Sequence, residues 1–334
     1  MKKFYLLTLL LIIFFLMRCG TPNDPESIIG GDGGYKIVSK YFTSGFAQDV
    51  VVNDTLAYIA QSEGGLMIIN ISDHKAPKEL STVSQGLKGS AYKLTDKDSV
   101  IYIAAGGFGL SVINAANPLN PIITETNLPI KPAKNVCVLD NFLFTAIGEY
   151  GVKISGLEAD PSHPDPRGET AYPGFVQSIY IIPNKNYMLI ACGEMGFAVV
   201  DISQMGTGFY HNPMIGWVDT PGYAEDVVAH PTLPYAFLAC GTSGLFIIDF
   251  SDSSNVKIVG SYSTGGYAKE VLYKDNKVYV TTELRGLQIF DVTNINSPMR
   301  IGTVETAYAL GLTADDKYIY VADENEGLII ISIP

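Results

Sequence analysis

The chain has 334 residues, 47% of them hydrophobic, and its 20 Tyr and 15 Phe supply ample apolar surface for a large core. It carries 22 Lys and Arg against 34 Asp and Glu, a formal net charge of −12. This excess of negative charge repels phosphate backbones and anionic lipid surfaces, so we do not expect nucleic acid as a partner.

The first 19 residues have the pattern of an export signal. Two lysines precede an apolar run of 14 residues, Phe4–Met17, which is short for a bilayer-spanning helix but suits the core of a signal peptide. The motif LMRCG that follows resembles a bacterial lipoprotein processing site with Cys19 as the lipidated residue, although Arg18 replaces the small residue usual there. We predict export and lipid attachment to a membrane of the cell envelope, on the periplasmic side or at the cell surface. An uncleaved anchor and ordinary secretion are the alternatives.

The next segment, residues 20–34, is rich in Gly, Pro and Asp and is typical of a flexible tether. From residue 35 to residue 334 one pattern repeats: a glycine, a hydrophobic strand, then in most copies Asp or Asn and Ser or Thr. Successive copies start 41 to 48 residues apart, a period typical of β-propellers. The seven copies begin at Gly65, Gly109, Gly151, Gly196, Gly244, Gly286 and Gly327.

Each period accommodates four strands, as the sixth shows with Glu270–Lys274, Lys277–Thr282, Gly286–Val292 and Arg300–Thr303. We therefore predict an all-β fold, a seven-bladed β-propeller with four-stranded antiparallel blades. The short side chain at the end of the third strand favours an Asx-turn, in which its oxygen accepts a backbone N–H two residues on. The residues at this position are Asn70, Asn114, Asp201, Asp249 and Asp291.

The two ends of the repeat region are complementary. The seventh repeat reaches Pro334 after its third strand, and Tyr35–Tyr41 matches the fourth strand Val256–Tyr262 of the fifth repeat. We predict that residues 35–42 supply the outer strand of the last blade and close the ring, which leaves no free strand edges between the first and last blades.

The pattern Gly-Leu-x-Ile-Ile-Asp-x-Ser, a following Asn/Ser-Pro and a Gly-Tyr-Ala corner resemble the LVIVD-repeat family of β-propellers over residues 35–334. The likeness is strong in the first, fifth and sixth repeats. It is weak in the third, where Gly156 replaces the Asp and Glu158–Gly168 is inserted. The resemblance implies an exported, often surface-attached propeller of largely unassigned function, and it supplies no catalytic residues.

Aromatic residues recur in the loops that a propeller places around one end of its axial channel. Five corners that lead into an inner strand carry one, whereas the other two carry Ser90 and Pro132. Such a ring suits stacking on sugars, peptides or flat ligands, and the alternative is that the side chains wedge between neighbouring blades. The candidate ligand-binding residues are Phe46, Phe108, Tyr150, Phe175, Tyr223, Tyr267 and Tyr308.

Carboxylates recur in the same loops and could bind Ca²⁺ or attract a cationic ligand. The alternatives are solvated loop charges or ion-pair partners of Lys93, Lys134 and Lys269. The candidate cation-site residues are Asp49, Glu63, Glu149, Glu194, Asp226 and Glu270.

The sequence contains few residues in patterns typical of catalytic sites. The four histidines lack metal-ligand spacing, and no nucleophile elbow, zincin motif or phosphate-binding glycine loop is present. Cys192 and Cys240 share a repeat position, where buried free thiols are favoured over a disulfide bridge.

We therefore expect a monomeric, non-enzymatic interaction module that presents its channel-mouth face to an envelope protein, peptide or glycan. The alternatives are a Ca²⁺-dependent hydrolase of lactonase type, and a structural subunit of an envelope assembly that docks through Glu158–Gly168.

Overall fold

The computed structural model describes residues 31–128, 130, 132–183, 185–205 and 211–334. Within these residues the strands form seven four-stranded antiparallel sheets, and the inner strand of each sheet contacts those of its two neighbours around a closed ring. The predicted seven-bladed β-propeller is confirmed. No helix in the described ranges has the length and apolar character needed to cross a membrane. The proposed signal segment and tether lie almost wholly outside the described residues.

The strands follow the repeat in chain order, after β1 (Lys36–Tyr41). Blade 1 contains β2 (Asp49–Asn53), β3 (Leu56–Ala60), β4 (Leu66–Asn70) and β5 (Lys78–Val83); blade 2 contains β6 (Lys93–Lys97), β7 (Val100–Ala104), β8 (Leu110–Asn114) and β9 (Ile122–Leu128). Blade 3 contains β10 (Asn135–Leu139), β11 (Phe142–Ala146), β12 (Val152–Gly156) and β13 (Asp165–Thr170); blade 4 contains β14 (Ser178–Ile181), β15 (Tyr187–Ala191), β16 (Phe197–Asp201) and β17 (Met214–Val218). Blade 5 contains β18 (Asp226–Ala229), β19 (Tyr235–Ala239), β20 (Leu245–Asp249), a 3₁₀ turn (Ser253–Asn255) and β21 (Lys257–Tyr262). Blade 6 contains β22 (Glu270–Lys274), β23 (Lys277–Thr281), β24 (Leu287–Asp291) and β25 (Met299–Val304); blade 7 contains β26 (Ala309–Ala314), β27 (Tyr318–Asp323) and β28 (Gly327–Ser332), with β1 as its outer strand.

The hydrophobic core lies between the blades rather than within any one of them. Seven clusters of buried side chains each join two adjacent blades, as where Tyr320 and Leu328 of blade 7 meet Ile59 and Met67 of blade 1. The second and third strands face a neighbour on both sides, so β7 is buried throughout. This burial explains why these strands are continuous apolar runs in the sequence. The outer strands, in contrast, contain several solvent-exposed residues.

The repeated glycine that precedes each third strand is required by the backbone. At all seven positions φ is positive, between 68° and 93°, and a Cβ would collide with the backbone of the outer strand or of the residues that follow it. An L side chain would be strained there on both counts, which accounts for the most regular feature of the sequence.

The predicted Asx-turns are confirmed in five blades. The side-chain Oδ1 of the Asp or Asn that ends the third strand accepts the backbone N–H two residues later, at 2.7 to 3.0 Å. In blade 3, Gly156 has no such oxygen. In the segment that follows it, Nη2 of Arg167 donates a hydrogen bond to Oε2 of Glu158 at 3.3 Å. Asp165–Gly168 belongs to β13, so only the first part of the predicted insert is a loop.

The ring closes as predicted. Strand β1 pairs antiparallel with β28, and Ile37 lies opposite Ile331. Ahead of β1, the Thr303 N–H of blade 6 donates to the Gly31 carbonyl at 3.0 Å. The buried Tyr35 places its hydroxyl 3.1 Å from that of Tyr279, so this segment fastens blades 6 and 7 together.

Candidate functional site

The loops between second and third strands and the corners that enter the next inner strand form one face of the ring, which we call the mouth face. Reciprocal backbone hydrogen bonds join them across blades, as between Gly193 of blade 4 and Ala224 of blade 5. Six junctions carry such a bridge, from Ser62–Ala91 between blades 1 and 2 to Glu283–Ala309 between blades 6 and 7. Six of the seven corners of the mouth face are therefore tied to the loop of the preceding blade.

The residues that begin the inner strands surround the channel axis. In blade 7 no side chain fits at the equivalent position, because a Cβ on Gly311 would collide with Asp49. The axial residues are Asp49, Lys93, Asn135, Ser178, Asp226, Glu270 and Gly311.

Lys93 crosses the channel. From blade 2 it forms a short ion pair with Glu270 of blade 6, and its Nζ lies 3.5 Å from Oδ1 of Asp49 in blade 1. The Asp226 carboxylate of blade 5 also attracts it. The ammonium group of Lys93 is thus the shared counter-charge of three largely buried carboxyl groups.

Burial shifts the ionisation of this cluster. It raises the pKa of Asp49 and Asp226 above the ordinary aspartate value, against the attraction of Lys93. Burial, with the repulsion of those two carboxylates, raises the pKa of Glu270 well above the ordinary glutamate value. Burial alone would lower the pKa of Lys93, but attraction to the three carboxylates outweighs it and raises that pKa. Lys93 is therefore cationic at neutral pH.

Two of these carboxylates also connect neighbouring blades. Oδ2 of Asp49 accepts the Leu94 N–H of blade 2 at 2.9 Å, and Oδ2 of Asp226 accepts the Val271 N–H of blade 6 at 3.0 Å. The Ser178 hydroxyl of blade 4 donates to the other oxygen of Asp226. Much of the hydrogen-bonding capacity of both side chains is used in holding the ring together.

A second carboxylate cluster lies one residue earlier and was missed by the sequence reasoning. Glu225 of blade 5 accepts hydrogen bonds from the Tyr267 hydroxyl, from Lys269 at 2.7 Å and from Gln177 at 3.1 Å. It therefore braces blades 4, 5 and 6. The available signal was that the residue before the axial position is also polar in six of the seven blades: Gln48, Tyr92, Lys134, Gln177, Glu225 and Lys269.

These two layers of side chains line a cavity at the channel mouth with a volume of about 440 Å³. All seven blades contribute to its lining, which includes Lys93, Lys134 and Lys269. The amide oxygens of Asn135 and Gln177, which also line it, have no hydrogen-bond partner among the described residues. The cavity thus has the size of a small-ligand site, and both polar and apolar surface line it.

Three of the predicted aromatic residues rest on the preceding blade. The rings of Phe175, Tyr223 and Tyr267 cover glycines of blades 3, 4 and 5, each so closely that a Cβ on the glycine would lie 2.8 to 3.0 Å away. They are half-buried in this position, as the alternative of blade-wedging side chains predicts. Tyr308 is also half-buried, and its hydroxyl is hydrogen-bonded to Glu283.

The other three aromatic residues project into solvent on the mouth face. Phe46, Phe108 and Tyr150 are each at least half exposed. Tyr92, which the sequence reasoning did not single out, is 45% exposed and covers Gly106 of its own blade. A ligand-binding role for the seven aromatic residues stays a prediction, and the exposed three are the ones available for it.

The six predicted cation-site carboxylates fall into two groups. Asp49, Asp226 and Glu270 converge on Lys93, which is the ion-pair alternative, whereas Glu63, Glu149 and Glu194 are exposed in separate loops. Over the described ranges, no group of three or more His, Cys, Asp or Glu side chains is arranged to hold a metal ion. Ca²⁺ binding stays a prediction.

The three cysteines of the propeller are free thiols, and Cys192 and Cys240 are buried, as the favoured interpretation predicted. Burial raises the pKa of each thiol to about 12, so the thiolate is not available near neutral pH. Cys19 lies outside the described residues.

Two solved structures share the fold. The WD40 β-propeller domain of Doa1 has a TM-score of 0.67 and 10% identity, with 90% of this chain and 97% of that one covered. The computationally designed Ika8 protein has a TM-score of 0.62 and 9% identity, with 89% and 96% covered. At such identities the likeness concerns the fold alone. No curated protein matches the chain.

The family model described as LVIVD repeat matches residues 44–84, 173–205, 221–264, 265–306 and 308–333, together more than half of the chain. These stretches fall on blades 1, 4, 5, 6 and 7, and the predicted family is confirmed. The chain belongs to the LVIVD repeat family of β-propellers.

Proposed function

We propose that this protein is a non-enzymatic binding module, held at the cell envelope, that presents its mouth face to a protein, peptide or glycan partner. The observation that carries the proposal is the cavity of about 440 Å³ at the channel mouth, which Tyr92 lines, with further exposed aromatic rings in loops of the same face. Pockets of this size with a few convergent polar groups are the usual binding sites of folded proteins.

Exposed apolar side chains at the rim support a macromolecular partner. Phe42, Phe46, Phe108, Tyr150 and Leu284 are 50% to 75% exposed, and all belong to mouth-face loops or to the end of β1 beside them. Aromatic side chains around a polar cavity supply contact area at low entropic cost, which is how many interfaces obtain their affinity.

The bonding of the axial carboxylates favours binding over metal-assisted hydrolysis. A Ca²⁺ ion would need several carboxylate oxygens free to ligate it. Asp49 and Asp226 already accept backbone N–H groups from the next blade, and Glu270 is paired with Lys93. Calcium binding would compete with the contacts that hold the blades in place.

Attachment to the envelope rests on the sequence of the first 19 residues, with Cys19 as the acylated residue. Mass spectrometry of the N-terminal peptide from the native host tests it. Acylated Cys19 is the expected result, and a peptide that begins at an intact Met1 contradicts lipidation.

Capture of partners from native envelopes tests the mouth face. A double variant Phe46→Ala, Tyr150→Ala removes two exposed rings, and we expect it to lower recovery of the partner at least tenfold after crosslinking. The matched control is Leu119→Ala, Met299→Ala, since those side chains are 67% and 60% exposed at the opposite end of the blades. Recovery that falls with the control pair but not with the mouth-face pair contradicts the proposal.

A further inference from the structure

The corner of blade 2 lacks the aromatic ring that other blades place against their neighbour. In blades 4, 5 and 6 this ring fills the space over the preceding blade's loop, whereas blade 2 has Ser90 there. The backbone around it is conventional, because Ser62 and Ala91 still form the reciprocal bridge between blades 1 and 2 at 2.9 and 3.1 Å. The junction differs in two side chains, because Ser90 replaces the ring and Ser62 replaces the glycine that the ring covers elsewhere.

A second cavity of about 340 Å³ lies at this junction, beside the mouth cavity with which it shares Tyr92 and Gly107, and we call it the blade 1–2 pocket. Its walls are Glu63 of blade 1 and the rings of Tyr92 and Phe108 of blade 2, and Ser90 and Gly107 complete its lining. The two rings are 45% and 51% exposed. Phe108 lies so close to Gly89 that a Cβ on that glycine would be 2.8 Å from it, and Tyr92 lies over Gly106, where a Cβ would be 3.1 Å away.

Glu63 gives the pocket its charge. Its side chain is exposed, and no ion pair of its carboxylate is found within the described part of the chain. The neighbouring Ser62 is fixed by its two backbone hydrogen bonds to Ala91, so Glu63 stays beside the pocket. A carboxylate and two partly exposed aromatic side chains therefore border one space.

We propose that the blade 1–2 pocket binds an arginine side chain of a partner polypeptide. The guanidinium group is planar like the missing ring, stacks on aromatic faces and pairs with a carboxylate through two parallel hydrogen bonds. A lysine ammonium is compact and more strongly hydrated, so it uses the flat space less well. A neutral planar group can hydrogen-bond to Glu63 but gains no attraction between opposite charges, and an anion is repelled by it.

The overall charge of the protein supports a cationic partner. A formal charge of −12 attracts positively charged polypeptides over a distance and raises their local concentration at the surface. The inference names a ligand for one part of the mouth face and so rests on the proposed function. It can fail while that function stands, because partner capture through Phe46 and Tyr150 does not depend on this pocket.

Titration with short peptides tests the pocket. The full chain, purified in a non-ionic detergent, is titrated with acetyl-Gly-Arg-Gly-amide and with the same peptide carrying lysine or citrulline, and binding is followed by NMR. Citrulline has the shape of arginine without its charge. We expect the arginine peptide to bind at least tenfold more tightly than the citrulline peptide and several-fold more tightly than the lysine peptide.

Two variants locate the binding. Ser90→Tyr restores the ring that blades 4 to 6 carry and should abolish binding by filling the pocket. Glu63→Gln, which leaves the packing unchanged, should weaken binding of the arginine peptide at least tenfold and leave that of the citrulline peptide unaltered.

The matched control is Glu149→Gln. Glu149 is exposed beside Tyr150 at the corresponding loop of blade 3, but there Phe175 already covers Gly148. This variant should bind the arginine peptide as the unaltered protein does. Equal affinity for the arginine and citrulline peptides, or equal losses with Glu63→Gln and Glu149→Gln, overturns the proposal; if Ser90→Tyr does not fold, the two glutamate variants still decide it.

Discussion

Blades 2 and 5 enter their inner strands through corners of the same length but opposite content. Blade 5 has Tyr223-Ala224-Glu225-Asp226, and its ring and both carboxylates contact neighbouring blades. Blade 2 has Ser90-Ala91-Tyr92-Lys93, which places a small residue where the ring belongs and a cation where the carboxylate belongs. The alanine of each corner, Ala91 in blade 2 and Ala224 in blade 5, forms the same backbone bridge to the preceding blade.

The difference shows that equivalent corners of one scaffold can be filled or left open. In blade 5 the corner side chains form contacts between blades. In blade 2 the ring of Tyr92 turns to its own blade's Gly106, and space opens beside Ser90. The additional cavity therefore lies where the repeat is broken.

The largest expected change in stability comes from replacing Lys93, the cation that blade 2 places at the channel axis. Lys93→Met leaves three largely buried carboxyl groups without a counter-charge, and we expect a loss of about 3 kcal/mol in the free energy of unfolding. Urea denaturation followed by circular dichroism measures it. The control is Lys269→Met, since Lys269 is 33% exposed and serves one carboxylate. Equal losses for the two variants would contradict a special role for Lys93.

The next largest change in stability should distinguish a wedged corner ring, Tyr267, from an exposed one, Tyr92. Tyr267→Ala removes a ring wedged on Gly241 and a hydrogen bond to Glu225, and should cost about 2 kcal/mol of unfolding free energy. Tyr92→Ala removes a ring that is 45% exposed and should cost about 1 kcal/mol. Thermal and urea unfolding of both variants show which substitution lowers the free energy of unfolding more. The reverse order would mean that the exposed ring, not the wedged one, holds the blades.

The axial cluster should make stability depend on pH. Because the pKa of Glu270 is raised in the folded protein, folding retains a proton that the unfolded chain releases above about pH 4.3. Stability is then full below that pH and declines as the pH rises through the folded-state pKa. We expect the calorimetric unfolding midpoint to fall as the pH rises above about 4.3, and to fall less in Glu270→Gln. Parallel profiles for the two proteins would show that Glu270 does not titrate in this range.

The smallest effect should be the same in both blades. The Asx-turns of Asn114 in blade 2 and Asp249 in blade 5 lie at the opposite end of the blades and have the same geometry. Asn114→Ala and Asp249→Ala should each cost about 1 kcal/mol in the free energy of unfolding, measured by urea denaturation. A large difference between them would mean that the two blades differ throughout and not only at the mouth.

The fold could be predicted because its determinants are local and repeated. The glycine before each third strand is dictated by a positive φ and a close backbone, and the Asx-turns need only one short side chain. In blade 6 the predicted inner strand Glu270–Lys274 agrees with β22, and the closing strand followed from its likeness to Val256–Tyr262.

The site could be predicted only in outline, because its contacts are made across the ring. Lys93 and Glu270 are 177 residues apart in sequence, and no periodicity indicates that a lysine of blade 2 reaches blade 6. Shared repeat positions suggested that Asp226 and Glu194 belong to one site, yet one is buried at the axis and the other exposed in a loop. Ser90 was noted as an exception, but a cavity arises only from how Tyr92 and Phe108 turn around it.

The pairing of β1 with β28 imposes an order of events on folding. A chain made from its N-terminus produces Lys36–Tyr41 long before its partner Gly327–Ser332 exists, so this strand must wait, unpaired, while the first six blades form. Closing a loop of that length carries a large entropic cost that only the completed last sheet offsets. Ring closure is therefore the final step of folding, and until it occurs the outer edge of β28 and the apolar faces that blades 1 and 7 bury against each other remain exposed to other chains.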